Sequence, residues 1–167
     1  MPNSVAIVLL FLVLAAVAAV AISCRSSSTE STSMGETGPV ESLADYLGRL
    51  QRSSDPHAFL IVADPDSGDF VQFTASREAV QIDFPVITSR QQELEDRVYQ
   101  VLETNGLIVE TTTGTDGSRF LDADSTESPE RTAEVVLAIF RDAFGGLPAM
   151  FSYQSDGLGP LDGPSDP

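Results

Sequence analysis

Apolar residues occur in three patterns along this chain, each implying a different kind of structure. The first is unbroken. From Val5 to Ile22 the sequence reads VAIVLLFLVLAAVAAVAI, 18 residues without a polar side chain. As a helix it would be about 27 Å long at about 1.5 Å per residue, close to the hydrocarbon thickness of a bilayer, so a single membrane-spanning helix is predicted within residues 1–25. Secretory signals have a shorter apolar core and a positively charged lead, whereas the lead here, MPNS, carries no charged side chain. Residues 26–39, rich in Ser and Thr and without periodicity, read as a flexible linker to a folded domain over 40–146.

The second pattern has helical spacing. Leu43, Tyr46, Leu47 and Leu50 predict a short helix that Gly48 weakens and Ser53–Pro56 ends. Leu94, Val98, Val101 and Leu102 predict a longer one, with a capping box from Ser89 and Gln92 and a stop at Asn105–Gly106. Ala133, Val136, Leu137, Phe140 and Phe144 mark a third. Ser128 is its expected N-cap, Pro129 its first helical residue, Glu130 lies near its positive end, and Gly145–Gly146 close it.

The third pattern is strand-like. Two β-rich runs, Ala58–Ala63 and Phe70–Thr74, flank a turn of Asp, Pro, Ser and Gly and predict a hairpin. In AVQIDFPV, Val80, Ile82 and Phe84 alternate with Gln81 and Asp83, a strand with one buried face. Pro85 should stop it or place it at a sheet edge. LIVETTT and SRFLDA, joined by the turn Gly114–Gly117, predict a second hairpin. Residues 147–167 read as a Gly/Pro/Asp-rich tail in which only Met150, Phe151 and Tyr153 would be held. The expected order is α-β-β-β-α-β-β-α, an α+β domain with an antiparallel sheet of about five strands covered by helices.

Composition narrows the partners. Twenty-five acidic residues against nine basic ones give a net charge of -16, and every basic residue is arginine. Such a balance repels nucleic acid and anionic headgroups. The sole cysteine, Cys24, allows no intramolecular disulfide and no thiolate metal cluster. It follows Ala21, Ile22 and Ser23 in a loose match to a lipoprotein signal, so it is a candidate lipidation site. The bland alternative is a free thiol where the apolar helix ends. Arg25 alone votes on orientation, placing the domain in the cytoplasm, and lipidation of Cys24 would reverse that.

Candidate chemistry is sparse. Asp64–Asp69, DPDSGD, begins like a calcium loop but has Gly68 at its fifth position and Ala75 at its twelfth, so it reads as a turn. His57, the only histidine, crowds with Ser53, Ser54 and Asp55 into one loop, which suits a surface histidine better than a triad. Asp122, Asp124, Glu127 and Glu130 cluster before the last helix, where solvation and the helix dipole account for them more simply than acid–base work does. Gly114, Gly117, Gly145 and Gly146 belong to a turn and a helix end rather than to a phosphate loop. No catalytic, cofactor-binding or metal-binding residue is therefore assigned.

The order of elements, with DFVQF (69–73), AVQIDFPV (79–86), the helix ending in LETNGL and the last helix RTAEVVLAIFRDAFG, resembles the type III secretion chaperone-like superfamily, including its YbjN-type and TY-Chap domains. That resemblance implies a non-enzymatic module that binds protein segments and commonly dimerises; its soluble, cytosolic members differ from this chain in lacking an anchor. The expected function is thus a membrane-tethered protein-binding domain held through residues 5–22, with a protein partner or a second copy. An extracytoplasmic lipoprotein with a structural or sensory envelope role is the alternative, and a hydrolase using His57 or the acid cluster the third reading.

Overall fold

The computed structural model describes residues 36–75 and 79–158. The anchor predicted over 5–22, Cys24 and most of the predicted linker lie outside the described residues. Among the described residues no helix is long and apolar enough to cross a membrane.

The chain runs β1 (Glu36–Pro39), a 3₁₀ turn (Val40–Ser42), α1 (Leu43–Gln51), β2 (Phe59–Ala63), β3 (Phe70–Ala75), β4 (Val80–Val86), α2 (Ser89–Thr104), β5 (Val109–Thr113), β6 (Arg119–Ser125), α3 (Pro129–Ala138) and β7 (Met150–Asp156). A π-helical turn, Ile139–Phe144, extends α3 and ends at Gly145, whose φ of 104° suits glycine. The strands form one antiparallel sheet in the order β1-β7-β2-β3-β4-β6-β5. The fold is α+β as expected, but the sheet has seven strands among the described residues rather than about five.

Both extra strands lie outside the predicted domain. The linker gives its last four residues to β1, and the tail supplies β7, which pairs with β1 on one side and β2 on the other. Phe151 and Tyr153 of β7 are buried in the core, so a segment read as frayed is an interior strand. β1 is held by tertiary partners. Tyr153 Oη donates to the Pro39 carbonyl at 3.0 Å, and Tyr46 Oη donates to Glu36 Oε2 at 3.0 Å. Tyr46 stacks on Tyr153 with centroids 4.3 Å apart. Gly38 passes so close that a Cβ there would lie 3.2 Å from the Tyr153 ring.

One face of the sheet meets all three helices. Leu43, Leu47 and Leu50 of α1, Leu94, Val98 and Leu102 of α2, and Val136 and Phe140 of the last helix close over Leu60, Val62, Val71, Phe73, Ile82, Phe84 and Leu121. Burial of such side chains is the main stabilising term, about 1.5–3 kcal/mol each. Phe140 touches Phe144 and Phe151 with centroids 4.9 and 4.6 Å away. Gly48, read as a weakness of α1, is a buried position where the helix passes Pro129 of α3.

Local details correct the sequence reading in two places. The capping box of α2 sits one residue earlier: Thr88 has extended backbone and accepts from Gln91 N, while the Gln91 side chain accepts from Thr88 N. Pro85 neither stops β4 nor lies in an edge strand. The β3 pairing spans Val80–Asp83 only, so Pro85 falls where the ladder to β6 alone is present and its missing N–H is tolerated.

Candidate functional site

The second face of the sheet carries a polar row. Because directly opposed residues of antiparallel strands share a face, the registers Gln72–Asp83, Asp83–Asp122 and Asp122–Glu110 place these four side chains side by side across β3, β4, β6 and β5. The adjacent row aligns Thr74, Gln81 and Asp124. Two loops, α2 to β5 and β6 to α3, bring Leu107, Ile108, Thr126 and Glu127 to the same end. The β5–β6 end of these rows and the two loops line a groove of about 510 Å³ whose walls include Gln81, Glu110, Asp122, Asp124 and Glu127; Gln72, Thr74 and Asp83 lie outside its lining. No arginine is among the described residues lining it. β5 is one of the two edge strands of the described sheet, and Ile108 just before it is 83% exposed.

The carboxylates are not equivalent. Asp83, at 8% exposure, is buried and its Oδ1 has no hydrogen-bond partner. Burial first, and the facing charge of Asp122 second, push its carboxyl up to about 7. Asp122 is half-buried; burial raises it as well, the Thr112 hydroxyl donating to its Oδ2 at 2.7 Å draws it back, and Asp124 and Glu110 push it up again. Glu130, by contrast, sits at the start of α3, where its own backbone N–H and Ser128 hold it below the usual range. The predicted acid cluster therefore divides: Asp122, Asp124 and Glu127 line the groove, and Glu130 lies in the first turn of α3.

The sequence reading missed Glu110 as a groove residue and Asp83 as the buried carboxyl facing Asp122. The alternation in AVQIDFPV correctly sets Asp83 opposite Ile82 and Phe84, but its burial contradicts the polar, solvent-facing role that alternation implies. Only the β4–β6 register, between segments some forty residues apart, shows what stands opposite.

The other candidates resolve into loop structure. Asp55 Oδ1 accepts from His57 N at 2.8 Å, and Ser53 Oγ donates to the Gly157 carbonyl. His57 is exposed and is not among the residues lining the groove. In DPDSGD, Asp64 accepts from Asp66 N and the Ser67 hydroxyl, Gly68 takes a positive φ, and Asp69 is gripped by Arg90 through Nη2 at 3.0 Å. The segment is a turn. Among the described residues no three His, Cys, Asp or Glu are grouped to hold a metal ion. Comparison with known protein families, curated proteins and solved structures finds no match to the chain.

Proposed function

We propose that the chain is a membrane-tethered, non-enzymatic protein-binding domain of secretion-chaperone-like type. The 18-residue apolar run from Val5 to Ile22 is the tether, and Arg25 at its end favours a domain facing the cytoplasm. The observation that carries the binding assignment is Ile108. Ile108, 83% exposed, stands at the mouth of the groove beside the edge strand β5, whose outer edge has no neighbouring strand among the described residues, the arrangement by which an extended segment adds to a sheet. The net charge of -16 works against a second copy docking at this acidic end and favours a different protein as the partner, with a homodimer as the alternative.

The test is differential capture from detergent-solubilised membranes. Wild-type chain should enrich a discrete partner, and Ile108→Asp, which changes an exposed side chain, should lose it while melting at the same temperature. Equal recovery by both proteins, or no partner with wild type, refutes the assignment. The Ser23–Cys24 pair favours one competing reading, an extracytoplasmic lipoprotein. An intact mass lacking residues 1–23 and carrying acyl groups would establish it; a full-length unmodified mass would keep the uncleaved anchor.

A further inference from the structure

We propose that the facing pair Asp83–Asp122 is a pH-sensitive latch, which holds the β5–β6 hairpin against the rest of the sheet while Asp83 carries a proton and loosens it when that proton leaves. In the strand order β3-β4-β6-β5, the hairpin joins the other strands through the β4–β6 ladder alone. That ladder has seven pairs, Val80–Ser125 to Val86–Arg119, and Asp83–Asp122 is its midpoint. The phase of the ladder brings the two carboxyls together. Gly114 N donates to the Ser118 carbonyl, so the alternate pairs beyond it, Thr112–Phe120 and Glu110–Asp122, are the hydrogen-bonded ones of the hairpin. Asp122 therefore turns its backbone groups to β5. Asp83–Asp122 is then a non-hydrogen-bonded pair of the β4–β6 ladder, the kind whose facing side chains come closest.

Protonated, Asp83 is a donor as well as an acceptor and can share its hydrogen with the facing carboxylate. Ionised, it only accepts, and its buried Oδ1 has no donor among the described residues. No described residue on its own face answers the charge. β3 offers uncharged Gln72, and β6 and β5 offer Asp122, Asp124 and Glu110, while the three helices cover the other face. Loss of the proton thus sets two like charges opposite one another at the centre of the ladder, which destabilises a sheet. Burial and Asp122 push the Asp83 carboxyl up to about 7, whereas in an opened hairpin it titrates near its ordinary 3.8. Opening therefore becomes about tenfold easier per pH unit between roughly 4 and 7 and levels off above. The latch does not rest on the protein-binding reading, although the hairpin it holds bears β5 and lines the groove.

The test is hydrogen exchange of the full chain in non-ionic micelles between about pH 5 and 8, read peptide by peptide by mass spectrometry and corrected for the intrinsic rate. Peptides of β6 should be protected about tenfold less than those of β2 and β7, which marks an opening of their own. Their protection should fall about a hundredfold from pH 5 to pH 7 and little beyond. In Asp83→Asn it should stay within about twofold across the range. Asp122→Asn removes the facing charge and supplies a donor, so its fall should end at a lower pH than that of wild type. Equal protection of β6, β2 and β7 at each pH means one global opening and overturns the latch. So does a fall that persists in Asp83→Asn, or no fall in wild type. Circular dichroism shows which variants fold. Should Asp83→Asn fail to, Asp122→Asn decides, and an end point unmoved from wild type overturns the proposal.

Discussion

Asp83→Asn should make the protein more stable above neutral pH, and the structure gives both size and sign. In the unfolded chain this carboxyl titrates near its ordinary 3.8, and in the folded protein at about 7. Below pH 3.8 both states hold the proton and nothing is lost. Between about 4 and 7 the unfolded chain has released its proton while the folded one has not, so stability falls as pH rises; above 7 the full cost remains. At about 1.4 kcal/mol per pH unit, the gap from 3.8 to about 7 corresponds to roughly 4 kcal/mol. Because the group is buried, solvent screening takes little of this away. The amide carries no charge and can donate to the facing Asp122. Urea unfolding of the full chain in non-ionic micelles, followed by far-UV circular dichroism, should therefore show wild type losing stability between pH 4.5 and 7.5, with the decline much reduced in Asp83→Asn. The two proteins should be similar near pH 4. An identical pH slope in both, or a variant less stable at pH 8, would refute the assignment of a strained carboxyl to this position.

Four further outcomes follow from other contacts. Thr132→Val breaks the buried 2.7 Å hydroxyl pair with Ser125 and strands the Ser125 hydroxyl, a loss of about 1–3 kcal/mol in urea unfolding that adding Ser125→Ala should partly restore. Ser128→Ala removes the N-cap bond to Arg131 N and should cost about 1 kcal/mol. Phe140→Ala empties the centre of the aromatic cluster and should cost about 3–5 kcal/mol, with loss of near-UV ellipticity. Gly48→Ala should stabilise by up to about 1 kcal/mol, since the new methyl meets Pro129 at 3.5 Å and displaces only the flexible end of Arg52; a lower melting temperature would mean that the α1–α3 approach is tighter than its distances imply.

Local regularities carried much of this protein into its sequence. Three helices, two hairpins and the β4 strand announce themselves because amphipathic spacing, turn residues and caps act within a few residues of one another. Ser128, Pro129 and Gly145 do at α3 what their chemistry prescribes. The 18-residue apolar run is likewise a property of the sequence alone. What needed the tertiary structure is whatever depends on partners distant in the chain. ETGP has no period that marks a strand; it becomes β1 because β7, more than a hundred residues later, offers Phe151 and Tyr153 across from it. Residues 150–156 do alternate, with Phe151 and Tyr153 facing in, but Gly- and Pro-rich flanks hide so short a pattern, and its burial exists only between β1 and β2. The buried carboxyl of β4 belongs to the same class. Alternation settles which side of β4 bears Asp83, whereas its facing Asp122, its unpartnered oxygen and its displaced titration arise from the β4–β6 register. Side-chain direction is a local property of the backbone; burial and charge pairing are set by which strands the fold makes neighbours.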